Sequence, residues 1–243
     1  MSSFPLQTIS KPGSQIINEL NNVIGFDRDK YLISEYLSGN FPNFIRNLVP
    51  ITIITSKDSF TYFVTPDYLC VGNDDDYFST PMSAPAAQKI ANTFGCILPT
   101  VKMVDDIWKA SKIKISPVTM PPNNLMMNTK TFAEHFKKVQ KQLESKGYST
   151  GDLISNRGKD VVLTEDRSRV SIYGWYQNDK PIQGLSTEHN SMYYDYSHFI
   201  RLVDKECILN DNKVDIEEIL VDPKFSPLIT KSITVKSYNT NCF

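Results

Sequence analysis

The stretch from Ile172 to Val203 constrains this chain more than any other. It holds two of the three histidines, one of the two tryptophans and five of the twelve tyrosines. Aromatic and β-branched residues crowd it, and these fit a pleated, half-buried sheet. A histidine inside such a pattern needs a polar partner, because burying an unpaired polar group costs free energy. The stretch therefore predicts a sheet, with the polar site close to His189, Asp195 and His198.

Read as a strand, residues 194–203 alternate. Tyr194, Tyr196, His198, Ile200 and Leu202 share one face; Asp195, Ser197, Phe199 and Arg201 share the other. Large apolar groups on both faces predict a central strand. In that geometry Asp195 and His198 point apart. A bulge, or a strand that starts after Asp195, is needed to bring them together.

His189, Asp195 and His198 are the histidine and carboxylate cluster of the sequence. A histidine at the mouth of a cleft suits general-base work, so these three are the candidate catalytic residues. Two imidazoles, a carboxylate and an open fourth position would also suit a catalytic zinc. Their spacing matches none of the strong zinc motifs, so no metal ligand is assigned, and no motif names a cofactor. Cys96 offers a cysteine-nucleophile alternative, with His198 following it in chain order. Its neighbours Gly95, Ile97 and Leu98 predict burial between helices instead.

Lys159 stands before a strand and can reach an anionic substrate group; the plainer reading is a solvated loop charge. Tyr173, Trp175, Tyr194 and Tyr196 offer rings that stack on sugars or bases, and they equally suit a sheet core. With Lys159 they are the candidate substrate-binding residues.

The first half reads as mainly helical. Ile16, Ile17, Leu20, Val23 and Ile24 recur at helical spacing up to Gly25, and Tyr31, Leu32, Tyr36 and Leu37 repeat the pattern after Asp27. Residues 51–55 and 60–64 predict a strand pair. Gly72 to Asp76 reads as a solvated acidic turn, since it lacks the alternating oxygen spacing of a calcium loop. Ser83 and Thr100 are predicted to cap two helices forming a helical hairpin, the second with Met103, Val104, Ile107 and Trp108 on its apolar face. Trp108 is expected to pack against the Ala87/Phe94 helix, and Asp105 and Asp106 to be solvated. Phe132, Phe136, Val139 and Leu143 mark a further helix, with His135 expected to be exposed or capping. Asp215 caps a short helix, and the tail from Lys231 is expected to fray.

These elements predict an α+β fold: a mixed or antiparallel sheet with helices from the N-terminal half packed on it. Residues 1–50 form an N-terminal helical segment, 51–230 the α+β core and 231–243 a polar tail. With 26 basic and 27 acidic residues, net charge is −1. That balance gives no reason to expect nucleic acid as a partner. No apolar run approaches the roughly 20 residues that cross a bilayer, so no membrane partner is expected. The visible start has no basic and apolar leader pattern, which makes the cytoplasm the default location. The four cysteines are widely spaced and form no C-x-x-C pair.

Ile-Tyr-Gly-Trp at 172–175, Pro-Ile-Gln at 181–183, the following His189, and Asp-Tyr-Ser-His-x-Ile-Arg-Leu-Val at 195–203 resemble a conserved, uncharacterised bacterial protein family. Leu-Pro-Thr-x-Lys-Met-Val-Asp at 98–105 is similar to an earlier segment of that family, and Asp215–Leu220 with Asp222-Pro fits its ending. The resemblance covers roughly residues 50–230. It implies a common fold and a common site around His189 and His198, and it supplies no reaction. Two functional classes follow as expectations. One is a hydrolase acting on a small molecule or a peptide or glycan polymer through His189, Asp195 and His198. The other is a non-catalytic binding or structural protein with an aromatic-rich, ligand-binding sheet.

Overall fold

The computed structural model describes residues 3–7, 10–232 and 234–243. The chain opens with helices α1 (Gly13–Glu19) and α2 (Gly25–Leu37), then a hairpin of β1 (Val49–Ile54) and β2 (Ser59–Val64). The short strands β3 (Cys70–Gly72) and β4 (Tyr77–Ser79) pair with each other. Then come α3 (Ala84–Thr93), β5 (Cys96–Ile97), α4 (Val101–Ala110), β6 (Ile113–Lys114) and α5 (Thr129–Ser145). The second half is mostly strand: β7 (Ile154–Ser155), β8 (Lys159–Val162), β9 (Ser171–Gln177), β10 (Lys180–Ser186) and β11 (His198–Phe199). It ends with β12 (Val203–Asp204), β13 (Glu206–Leu209), β14 (Asn212–Asp215) and α6 (Ile216–Val221).

Two sheets organise these elements. The first runs β14-β13-β2-β12-β5, with β1 also on β2; the second runs β10-β9-β8-β11. Pairing is antiparallel except for β8 with β11 and β6 with β7, which are parallel. The fold is therefore α+β with mixed pairing. One apolar core joins Leu32 and Tyr36 of α2, Phe60 of β2, Ala87 of α3 and Val203 of β12, so the first fifty residues share the core of the rest.

Local chemistry explains the helix starts. Ser83 accepts a hydrogen bond from Ala86 N at 3.4 Å, Thr100 from Met103 N at 3.2 Å and Asp215 from Glu217 N at 2.7 Å. Each satisfies a backbone donor that the first helical turn leaves unpaired. The acidic loop after β3 is a fastener rather than a solvated turn. Asp76 accepts from Ser14 N and Oγ, and Asp74 accepts from Asn43 N and Nδ2, so both carboxylates tie down the N-terminal segment.

Several expectations are corrected. Cys96 and Ile97 form strand β5 between α3 and α4, where a helical hairpin was expected; β5 pairs with β12 at the edge of the first sheet. Trp108 stacks on Tyr176, with ring centres 4.6 Å apart, and packs with Val104, Val162 and Tyr173 instead of against α3. Its partner is the second sheet because α4 lies across β9. Asp105 is not solvated: its Oδ1 accepts hydrogen bonds from the Tyr173 and Tyr176 hydroxyls at 2.8 and 2.5 Å. His135 is buried, with Nε2 3.1 Å from the Val118 carbonyl. The tail docks instead of fraying through its length: Tyr238 is buried and donates to the Val162 carbonyl at 2.8 Å.

Candidate active site around His198

The site stands where β11 meets β8, and a turn replaces the continuous strand expected over 194–203. His198 N donates to the Asp195 carbonyl at 3.1 Å. Asp195 Oδ1 accepts from Ser197 N at 2.7 Å and from Ser197 Oγ at 2.6 Å. A carboxylate that captures the amide two residues on is an Asx turn, and it competes with extended backbone. Only His198 and Phe199 then pair as a strand, with Lys159 and Asp160 of β8. The chain is coil again from Ile200 to Leu202. There Arg201 turns inward, where its guanidinium donates to the Thr65 and Ile154 carbonyls.

The turn reverses the facing that strict alternation predicts. Asp195 and His198 lie on one side, with Asp195 Oδ2 3.9 Å from His198 Nε2. That is an ion-contact distance, longer than a hydrogen bond. The His198 side chain is 1% exposed, and neither ring nitrogen has a hydrogen-bond partner among the described residues. Burial pushes its pKa down to about 4, against the attraction of Asp195. Burial raises the Asp195 pKa, but His198 and the Ser197 hydrogen bonds outweigh it and leave the carboxyl below its usual range. At neutral pH the pair is therefore a neutral imidazole beside a carboxylate.

Close approach of the backbone makes this geometry. Lys159 N donates to the Ser197 carbonyl at 2.7 Å. A Cβ on Gly158 would meet Phe199 Cδ2 at 2.2 Å and the Ser197 carbonyl oxygen at 2.5 Å. Only glycine lets the two segments come together there. Just before it, Arg157 makes a two-pronged ion pair with Asp67, both buried, which anchors the start of β8.

The other candidates divide into two groups. His189 is exposed and stacks on Tyr193, ring centres 4.0 Å apart; Tyr193 in turn meets His198 edge-on at 5.6 Å. The two histidines thus flank one tyrosine rather than converging. Tyr193 belongs to the site; from sequence it counts among the region's aromatic residues but not among the candidate substrate-binding ones, although it directly precedes Tyr194 and Asp195. Its hydroxyl lies 3.3 Å from Asp195 Oδ2 as a donor. Lys159 extends over the Trp175 ring, 5.4 Å from its centre. Trp175 sits in left-handed backbone at φ 54° after Gly174 at φ 109°, a break in regular strand geometry that re-aims its side chain. Asn156 stabilises the break: its amide bonds Tyr176 N and the Tyr176 carbonyl at 2.6 and 2.8 Å.

Tyr173, Tyr194 and Tyr196 have structural duties. Tyr173 is held by Asp105. Tyr194 is fully buried under the Arg28 guanidinium, and its hydroxyl accepts from Gly25 N at 3.0 Å. The Tyr196 hydroxyl accepts from Met120 N at 2.9 Å, while its ring lies 6.5 Å from that of Trp175. Cys96 is buried, and burial raises its thiol pKa, which removes it as a nucleophile. Among the described residues no three His, Cys, Asp or Glu side chains gather as metal ligands. No helix among them is long and apolar enough to cross a membrane. No protein-family model, curated protein or solved structure matches this chain.

Proposed function

We propose that the chain is a hydrolase-like enzyme whose proton-transfer group is His198, assisted by Asp195, acting on a polar peptide or glycan. The observation that carries this reading is a fully buried imidazole, 3.9 Å from a carboxylate, with both ring nitrogens uncommitted. Buried polar atoms in native folds are nearly always paired, and an exception calls for a reason. A site kept for a reacting molecule is such a reason, since functional groups are often held at some cost to stability.

The proposed roles follow from the geometry. Nε2 faces Asp195 and takes the proton-bearing tautomer, leaving Nδ1 free to accept a proton. Nδ1 takes a proton from a water whose oxygen bonds to the electrophilic carbon of the substrate. The imidazolium so formed is stabilised by Asp195, as carboxylates stabilise the histidine of hydrolytic triads. It returns the proton to the departing nitrogen or oxygen as that bond breaks, so protons balance over the cycle. Ser197 is not the nucleophile, because its hydroxyl donates to Asp195. His189 acts through Tyr193, as part of the cover over the pair.

One observation favours the rival reading of a non-catalytic binding module: the His198 ring is sealed from solvent in this conformation. Turnover separates the two. Wild type is assayed against ester, peptide and glycan panels beside His198→Gln and Asp195→Asn. Activity lost in both variants with the fold intact supports the enzyme. A wild type inert on every panel supports the module.

A further inference from the structure

Three adjacent strands bring nitrogen-bearing side chains to one face of the sheet. β8 contributes the Lys159 ammonium, β9 the Trp175 indole and β11 the His198 imidazole. His198 lies directly beside Lys159 in the parallel register, so the two side chains leave the sheet on the same face. The Lys159 ammonium lies over the Trp175 ring at 5.4 Å, which brings Trp175 to that face too.

Their pairing is incomplete in a consistent way. Trp175 is 5% exposed, and its Nε1–H is buried without a hydrogen-bond acceptor. An indole nitrogen can only donate. The other tryptophan follows the usual rule, since Trp108 Nε1 donates to Asp179 at 3.2 Å. Lys159 is partly exposed and, among the described residues, makes no close ion pair, although its charge is felt by Asp195 and His198. What Lys159 and Trp175 lack in common is an acceptor, and a negatively charged one satisfies a buried N–H and an ammonium together.

We propose that Trp175 and Lys159 form an anion subsite that holds a carboxylate or phosphate group of the substrate beside His198. The inference deepens the hydrolase reading and rests on it for the word substrate; anion binding itself does not depend on turnover. The subsite makes the favoured peptide or glycan an acidic one. Lys159 is partly exposed and its ammonium lies over the buried indole ring, so in this proposal the anion enters alongside the ammonium and displaces it from the ring face. Asp195 and Lys159 both act on His198 and on each other; in the proposed division of labour Asp195 bears the imidazolium charge, while Lys159 and Trp175 bear that of the ligand.

The chain has two tryptophans, so a nitrogen-15 proton correlation spectrum carries two indole signals. Inorganic phosphate and acetate are titrated separately at constant ionic strength, with sodium chloride as the reference. The expected result is a saturable shift of the Trp175 indole signal with one or both anions, while that of Trp108 stays in place. Phosphate alone indicates a phosphorylated ligand; acetate alone indicates a carboxylated one. Lys159→Met should weaken the apparent affinity at least tenfold, and Lys159→Arg should retain it. Trp175→Phe assigns the signal by removing it. No saturable shift with either anion, or the same affinity in folded Lys159→Met, overturns the subsite. His198→Gln separates the two ideas. Anion binding retained with turnover lost supports both, and turnover in wild type without any anion response sinks only the subsite. Anion binding in a protein that turns over nothing leaves the subsite standing and removes the enzyme.

Discussion

Replacing Asp67 by alanine tests how the start of β8, and with it the site, is held. Arg157 Nε and Nη2 donate to the two Asp67 oxygens at 2.6 Å each, and both side chains are 1% exposed. Arg157 Nη1 already lacks a partner. Removing the carboxylate leaves the whole guanidinium buried and uncompensated, and breaking one side of such a pair costs about 3–5 kcal/mol. That is a large part of the roughly 5–15 kcal/mol by which domains are stable. The double change Asp67→Leu with Arg157→Met removes both charges and should recover most of the loss, because apolar groups can replace a buried pair at little cost. Urea unfolding at pH 7 measures each variant. An Asp67→Ala loss below about 1 kcal/mol would refute the reasoning, since it falls in the range of an exposed pair.

Three further outcomes are expected. Trp108→Ala should cost about 3–5 kcal/mol through the emptied volume and the lost Tyr176 stack; an unchanged melting temperature contradicts that packing. In the native protein one thiol of four should react quickly with Ellman's reagent, because Cys242 is exposed and Cys70, Cys96 and Cys207 are buried; rapid labelling of two or more contradicts it. The third concerns acid. His198 and His135 are each pushed down to about 4 by burial, so the unfolded chain binds their protons first as pH falls below about 6.5. Each therefore loses stability between about pH 6.5 and 4. Asp29 and Asp160 oppose this in wild type, since burial raises them to about 6 and 7 and their contribution grows as pH falls. The clean readout is a difference: the gap in unfolding free energy between wild type and His198→Gln should change in favour of the variant, by on the order of 2–3 kcal/mol, from pH 7 to pH 4. A gap independent of pH would mean that His198 is not sealed as described.

Much of the fold was legible because local signals agreed with one another. Ser83, Thr100 and Asp215 announced helix starts, and the twofold pattern of residues 51–64 announced the first hairpin. The histidine and carboxylate cluster was legible as a neighbourhood but not as a geometry. Alternation set Asp195 and His198 on opposite faces, whereas the Asx turn at Asp195 and Ser197 sets them on one. The Asp-x-Ser sequence carries that turn signal, but it competed with a run of strand-forming aromatics. Buried arginines were the larger obstacle. Arg28, Arg157 and Arg201 are fully buried, and a reading by polarity places each at the surface. Their partners, including Asp67 and the Pro81, Thr65 and Ile154 carbonyls, are far away in sequence. Trp108 failed in a related way: its apolar face was right, but periodicity does not tell which neighbour meets it.

The central claim is that His198 moves protons, and its most direct measurement is turnover paired with stability on one variant. Purified wild type and His198→Gln are compared by thermal midpoint and by hydrolysis of the ester, peptide and glycan panels at pH 7. The account predicts hydrolysis of at least one class by wild type and a loss of at least a hundredfold in the variant, the usual scale for a general base. It also predicts that the variant keeps a midpoint close to that of wild type, because the native ring makes no hydrogen bond that glutamine would break. A variant that hydrolyses as fast as wild type, or a wild type that hydrolyses nothing, contradicts it.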